Sequence, residues 1–444
     1  MVDVDYLEKL ASIACDAAIA SGAEFADVSS VVGRSLRVDL ESNAIKSCSS
    51  QQVGSIAVRA IVAGGTGWST SDKLSEESAV EAGKNAAALA KLAEPDPDFK
   101  SLPAPAEYYP DVKGLYDPQL ASFDARHIID YALANIDEAL AVCPDVNCEG
   151  GFSVNYYQES FANSLGILLT DISSHIGGHI MAIVKRDGDV GSFYEFDSGR
   201  VLADFEPNGI GASAARQAMQ FLGARKLQTK RMPIILGPLA SRSVFEAIVS
   251  AADAEDIQRG RSFLIGKLGE KIASDAVTIG DDPLIARGLG SRRHDGEGVP
   301  CRPMVIMENG VLKSYLFSTY TAGKAGVPPT GHGTRGGSAS PSNIVPGLGT
   351  KTAAELIAET QDGLYINIGA IEPDQTTGDV SATVDFGFKI ENGELAYPVT
   401  GTMIGGSFLE LLANVDAVSS DYRYEPGTIM PTVRIQDVLV AGGK

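Results

Sequence analysis

The chain has 444 residues, 44% apolar and 21% charged, with a formal net charge of -21. That length accommodates two or three domains, each with its own core, and the composition is that of an ordinary globular protein. No run of 18 or more apolar residues is present, which excludes a membrane-spanning helix, and the acidic balance argues against a polyanionic partner such as nucleic acid.

The N-terminus, MVDVDYLEKLASIACDAAIASG, opens on acidic residues and lacks a basic stretch, so it is not expected to be a secretory signal. It predicts an amphipathic helix with Leu7, Leu10, Ala14 and Ala17 on one face. Strand alternation follows at Ala26 to Val32 and Ser35 to Cys48, divided by an expected turn at Gly33-Arg34. Val53 to Ile61 and Thr66 to Thr70 then form a hairpin pattern around Ala63 to Gly67. With an alanine-rich helix from about Glu76 to Leu92 these elements make an α+β unit, 1–93. The proline-rich stretch 94–118 reads as a linker or surface crossing, because φ-locked residues without N–H donors do not build a core.

A second unit, 119–225, begins with Ser122 or Asp124 capping a helix that runs to about Leu140. Phe152 to Gln158, Ile167 to Ser173, His179 to Lys185 and Ser192 to Phe196 predict an antiparallel meander, and Asn208 to Gly223 a further helix. Together these units form an N-terminal α+β region, 1–225. The remainder, 226–444, forms a C-terminal domain. There Met232 to Leu236 reads as a buried strand, followed by a helix with Val244, Ile248, Val249 and Ala252 at helical spacing and Ser241 or Ser243 as N-cap. Two hairpins turn at Asn309-Gly310 and Asn392-Gly393, where both central residues need positive φ. Between them Lys324 to Thr350 is polar and glycine-rich, a length that suggests a functional or mobile loop bordering a peptide channel. Gly363 to Ile371 and Thr432 to Val440 read as late strands, with a short helix near Phe408 to Ala413. The expected fold class is α+β, multi-domain, with mostly antiparallel or mixed sheets and flanking helices.

Candidate chemistry is sparse. The five cysteines lack the second close pair that a four-ligand zinc site needs, and reduced thiols suit a cytoplasmic protein. His175-Ile-Gly-Gly-His179 is a tempting metal pair. On a strand, however, its Cα atoms would lie roughly 13 Å apart at about 3.3 Å per residue, a strained reach to one ion. His127, His294 and His332 stand singly in polar contexts and are expected at the surface. Ser243 and Ser262 sit where helices start and lack a nucleophile elbow. Asp385, Glu372 and Asp374 receive no role.

One stretch is specific. A strand and helix lead into R-G-R-S-F-L-I-G-K-L-G-E-K-I, and the last hairpin carries P-V-T-G-T-M-I-G. These segments resemble the PmbA/TldD family, also called modulators of DNA gyrase. In its TldD members the helix carries H-E-x-x-x-H, whose histidines hold zinc while the glutamate serves as general base. Counting back without gaps from Arg259-Gly260-Arg261-Ser262, the motif positions here are Phe245-Glu246-Ala247-Ile248-Val249-Ser250. Both histidines are replaced, and no cysteine follows Cys301 to match the family's late ligand. The resemblance therefore implies a TldE/PmbA-type subunit, inactive alone and without zinc of its own. It would pair with a zinc-bearing TldD-type subunit as a heterodimer or higher assembly, self-associate when alone, and act on unfolded or extended peptides. Two alternatives stand beside it: an autonomous metallopeptidase or hydrolase with a divergent site, and a binding or regulatory protein without peptidase activity. Glu246 reads as a solvated or paired carboxylate, and Arg259, Arg261 and Lys267 as a basic cluster for a substrate or partner.

Overall fold

The computed structural model describes residues 4–443. Its N-terminal half is built on one antiparallel sheet of six strands in the order β3-β2-β1-β4-β5-β6. These are β1 (Phe25–Glu41), β2 (Ala44–Val62), β3 (Gly65–Ser71), β4 (Val146–Asn163), β5 (Leu168–Arg186) and β6 (Asp189–Gly199). Strand β1 pairs with β2 on one side and β4 on the other, so the two units separated by the proline-rich stretch share a single sheet.

Alternation divides that sheet into two unlike faces. Val28, Leu36 and Val38 on β1, Val154 on β4 and Ile176 and Ile180 on β5 point to one side and are buried. Helices α1 (Val4–Ala20) and α2 (Glu76–Ala90) cover one end of that side, through a core of small residues such as Ala14, Ala79, Ala82 and Ala86. At the other end lie α3 (Pro118–Ala121), α4 (Ala125–Val142) and α5 (Ile210–Gln220), packed around Ile128, Phe152 and Phe193. Asp124 caps α4, accepting from the Arg126 N–H.

Two expected breaks are absent. Gly33-Arg34 is not a turn: β1 runs straight through it, and the chain reverses at Ser42-Asn43, both in the left-handed region with φ of 52° and 58°. Likewise β5 continues through Gly177-Gly178, where two separate strands were expected. Both glycines face an aromatic ring on β4. A Cβ on Gly33 would lie 2.1 Å from Tyr157 Cδ1, and one on Gly178 would lie 2.1 Å from Phe152 Cδ1. Here glycine marks the seat of a cross-strand ring, not the end of a strand.

The C-terminal half starts with β7 (Lys230–Leu236), α6 (Pro238–Ala251) and α7 (Ala254–Gln258). Contrary to expectation neither Ser241 nor Ser243 caps α6. Gly237 is the N-cap and Pro238 opens the helix, where its missing N–H costs nothing. A small sheet in the order β10-β9-β8-β11 follows, from β8 (Ile279–Asp281), β9 (Met304–Glu308), β10 (Val311–Leu312) and β11 (Ile344–Pro346), with α8 (Thr319–Ala325) between. The large sheet is completed after α9 (Ala353–Ala358) by β12 (Asp362–Ile368), β13 (Asp379–Thr383), β14 (Phe386–Glu391), β15 (Glu394–Val399) and β16 (Thr402–Ser407). Helix α10 (Phe408–Ala413), β17 (Val415–Glu425) and β18 (Thr428–Gly442) end the described chain. Its order is β13-β16-β18-β7-β12-β14-β15, with β17 beside β18 and β7 parallel to β12. Both Asn-Gly hairpins adopt positive φ at each central residue, as the dipeptides predict. Three mixed or antiparallel sheets with flanking helices make the protein α+β and multi-domain.

The glycine-rich segment 324–350 is held at many points. Gly333 N–H donates to Asp295 at 2.7 Å, Ala339 N–H to Asp253 at 3.1 Å and Ser342 N–H to Asp281 at 2.7 Å. Arg335 reaches across to β1, with Nε 2.5 Å from Asp27 Oδ1.

Candidate functional site

Helix α6 buries Val244, Phe245, Ile248 and Val249 against the C-terminal sheet because these positions recur at helical spacing. Phe245 is 3% exposed within that core. Glu246 lies on a half-open side and Ser250 is exposed. Glu246 Oε1 accepts from Arg242 Nε at 2.6 Å, and Arg242 Nη1 donates to Glu425 Oε2 at 2.8 Å. Arg423 Nε stands 3.5 Å from Glu425 Oε1, while its Nη2 donates to Glu195 Oε1 at 2.8 Å and to the Phe196 carbonyl at 3.1 Å. The Arg423 guanidinium also covers the Phe196 ring at 4.6 Å. A chain of alternating charges thus runs from α6 through β17 to β6.

Beyond it, on the face of the N-terminal sheet that none of the described helices covers, is an open cavity of about 380 Å³. Register assembles it. His179 lies opposite Phe196 on β6 and Gly151 on β4, and Gly177 lies opposite Ser198 and Ser153. Arg37 of β1 pairs across to Ser153. Small residues make the floor, and His175, His179, Phe196, Tyr194 and Arg37 stand round it. Burial lowers the pKa of both histidines, helped by the positive charge of Arg200 near His175 and of Arg37 near His179. Neither imidazole is hydrogen-bonded to another described residue. Arg37 is already matched, its Nε 2.6 Å from Asp39 Oδ1.

The near end of the same sheet face is closed by the C-terminal half. Asp27 takes Arg59 Nε at 2.7 Å and Arg335 Nε at 2.5 Å, and both guanidinium groups lie over the Trp68 ring. Glu297 Oε1 is 3.8 Å from Arg59, and its Oε2 accepts from Thr319 N–H at 2.6 Å. Burial pushes the Glu297 carboxyl up to about 7, Arg59 opposing and Asp295 adding to the shift.

The remaining sequence candidates separate clearly. His127 is exposed, as expected, but His294 and His332 are not. His332 is fully buried, with Nε2 2.9 Å from Asp281 Oδ2. His294 holds Asp171 Oδ2 at 2.6 Å and the Asp295 carbonyl at 2.8 Å. Burial opposes its charge, but the hydrogen bond and charge of Asp171 prevail and raise its pKa. Polar sequence context misled because these histidines pair with carboxylates brought from distant strands. Arg259, Arg261 and Lys267 each already hold a local carboxylate, Glu255 at 2.7 Å, Asp256 at 2.9 Å and Glu270 at 2.9 Å. Ser262 donates to the Ala251 carbonyl at 2.6 Å, and Ser243 to that of Ala240 at 2.9 Å. Arg423, Glu425 and Phe196 escaped sequence reasoning. The alternation of Tyr422-Arg423-Tyr424-Glu425 was the available signal, since it sends both charges to one face of a strand.

Residues 26–90 match PmbA/TldA metallopeptidase domain 1, 118–222 the central domain and 229–442 the C-terminal domain. The chain belongs to the PmbA/TldD family. It is 29% identical to a metalloprotease of Methanothermobacter thermautotrophicus over 99% of both chains. To the metalloprotease PmbA of Escherichia coli it is 28% identical over 73% of this chain and 75% of that one. A solved Bacteroides thetaiotaomicron protein named for modulation of DNA gyrase superimposes with TM-score 0.89 at 27% identity, covering 98% of each chain. TldE from Thermococcus kodakarensis shares the fold, with TM-score 0.88 at 24% identity over 98% of this chain and 100% of that one. Such metalloprotease homologues support a peptidase-family role.

Measured against the zinc motif of TldD-type family members, the residues here do not fit the metal. Phe245 offers no lone pair and is packed in the core, Glu246 is bound to Arg242, and Ser250 brings only a neutral hydroxyl. Among the described residues no group of three or more His, Cys, Asp or Glu side chains is placed to hold an ion.

Proposed function

We propose that this chain is a non-catalytic, TldE/PmbA-type subunit of a zinc metallopeptidase that acts on unfolded or extended peptides. The observation that carries this reading is the state of the motif helix. One former ligand position is built into the core and the surviving glutamate is occupied by an arginine 2.6 Å away. A TldD-type partner would supply zinc and the general base. This chain would supply half of the enclosing chamber and strand-like contacts at an exposed sheet edge, such as β6, which bind an extended peptide through its main chain without sequence choice. No helix among the described residues is long and apolar enough to cross a membrane, which is compatible with a peptidase acting in solution.

The relatives' description as metalloproteases favours a second reading, an autonomous enzyme with a divergent site. Zinc analysis after dialysis against zinc, together with peptidase assays of the chain alone and mixed with an H-E-x-x-x-H-bearing relative, separates the two. Metal near zero per chain with activity only in the mixture is expected. One zinc per chain, or activity of this chain alone, would sink the non-catalytic assignment.

A further inference from the structure

The cavity on the uncovered face is more than a gap between strands. Along β5, His175, Gly177 and His179 point to the same side, and glycine at the middle position leaves bare backbone between two rings. A Cβ at Gly177 would already sit 3.0 Å from His175 Cε1 and 3.1 Å from Ser198 Cβ. Ser153 and Ser198 flank the bare patch on either side, so the floor is flat and nearly free of side chains. One wall is aromatic: Phe196 and Tyr194 stack with centroids 6.0 Å apart and planes inclined 16°. Phe196 is clamped from another side by Arg423, which is itself fixed by Glu195.

The charged groups at this site already have partners within the fold, a carboxylate for Arg37 and a backbone N–H for Asp197. Arg37 is paired with Asp39 at 2.6 Å, and Asp197 Oδ2 accepts the Glu206 N–H at 2.6 Å. Burial disfavours the imidazolium form of both histidines. What remains is a flat floor, an aromatic wall and two imidazoles with ring nitrogens free for a donor such as an indole N–H or phenol O–H. An acidic side chain would meet Arg37 already paired with Asp39, and the Asp197 carboxylate, held only by a backbone N–H, would repel it.

We infer that the cavity walled by His175, His179, Tyr194 and Phe196 is a side-chain subsite that receives an aromatic residue of an extended peptide. This rests on the peptide-binding reading above and adds a preference to it: main-chain contacts at the β6 edge are indifferent to sequence, and this one side-chain position selects.

The test uses the full chain and fluorescently labelled Gly-Ser-Thr peptides carrying one central variable residue, with anisotropy as readout. In parallel, N-acetyl-phenylalaninamide is titrated while the imidazole NMR signals of His175 and His179 are followed. Peptides with Trp, Tyr or Phe should bind about tenfold tighter than the Ala peptide, the scale of one buried aromatic anchor. The amide should move both histidine signals. Ser153→Phe, which fills the floor, should bring aromatic peptides down to the affinity of the Ala peptide and abolish the signal changes. Phe196→Ala, which removes the wall, should do the same if the filled variant does not fold. Affinity independent of the central residue, with unmoved histidine signals, overturns the subsite and leaves the peptide reading standing. A preference for Glu or Lys overturns it also. Movement of the histidine signals by the amide, abolished in the variants, with no peptide bound, keeps the subsite and removes the peptide reading. Silence in both experiments removes both.

Discussion

Asp27 and Asp39 lie on the same strand and the same face of the same sheet, yet they live in different solvents. The side chain of Asp27 is 1% exposed and that of Asp39 is 31% exposed. Each binds an arginine. At the near end that arginine belongs to a buried network bridging the two halves of the chain, with Arg335 arriving from the glycine-rich segment. At the far end Arg37 and Asp39 form a local pair on the rim of an open cavity. The difference shows that a polar sheet face is not in itself a site. Where another domain covers it, its charges become joints, and where the cavity stays open they form a local pair at its rim.

The sharpest way to break this comparison is to remove the buried carboxylate. Asp27→Ala leaves Arg59 and Arg335 without their partner inside the junction and is expected to cost about 3–5 kcal/mol in chemical denaturation. A loss below about 1 kcal/mol would mean that water reaches the junction and that the two ends are alike. Phe245→Ala should cost a similar amount, about 3–5 kcal/mol, because it opens a cavity in the core under α6. An effect near zero would show the Phe245 position to be open.

Glu297 adds a pH signature to the near end. Its carboxyl is raised to about 7 from an ordinary 4.5, so between those values the folded protein holds a proton that the unfolded chain has released. Stability from this group is therefore full below about pH 4.5 and declines as pH rises through about 7. Glu297→Gln should flatten that decline in denaturation midpoints measured across the same window. A slope unchanged by the substitution would remove Glu297 as its source.

The paired glycines test burial on the two faces. Gly178→Ala must displace the buried Phe152 ring and is expected to cost about 1–3 kcal/mol, whereas Gly33→Ala pushes on the half-buried Tyr157 and should cost less. Equal losses in thermal unfolding would contradict the assignment of a packed and an open face. Smallest of all should be Asp39→Ala and Glu246→Ala, each within about 1 kcal/mol, since both leave half-open ion pairs.

Local signals carried much of this fold. Asn309-Gly310 and Asn392-Gly393 dictate their turns because both residues tolerate positive φ, and the apolar spacing of α6 or the Phe408–Ala413 helix is decided within a few residues. The residues that fall on the motif by counting, Phe245, Glu246 and Ser250, were also read directly from the chain, and a phenyl or a hydroxyl is no imidazole whatever the fold. The sequence could not say that Gly33 and Gly178 lie mid-strand, because the rings that fill their places come from more than a hundred residues away at Gly33 and from a neighbouring strand at Gly178. Nor could it place His294 and His332, whose carboxylate partners Asp171 and Asp281 are adjacent only after the sheets dock. Register alone set His175, Gly177 and His179 beside Phe196 and Arg37, and the C-terminal half alone decided which end of that face stayed open. Family and element type were thus written in local chemistry. Which polar residues became joints and which line a cavity was decided by burial, a property of the assembled structure.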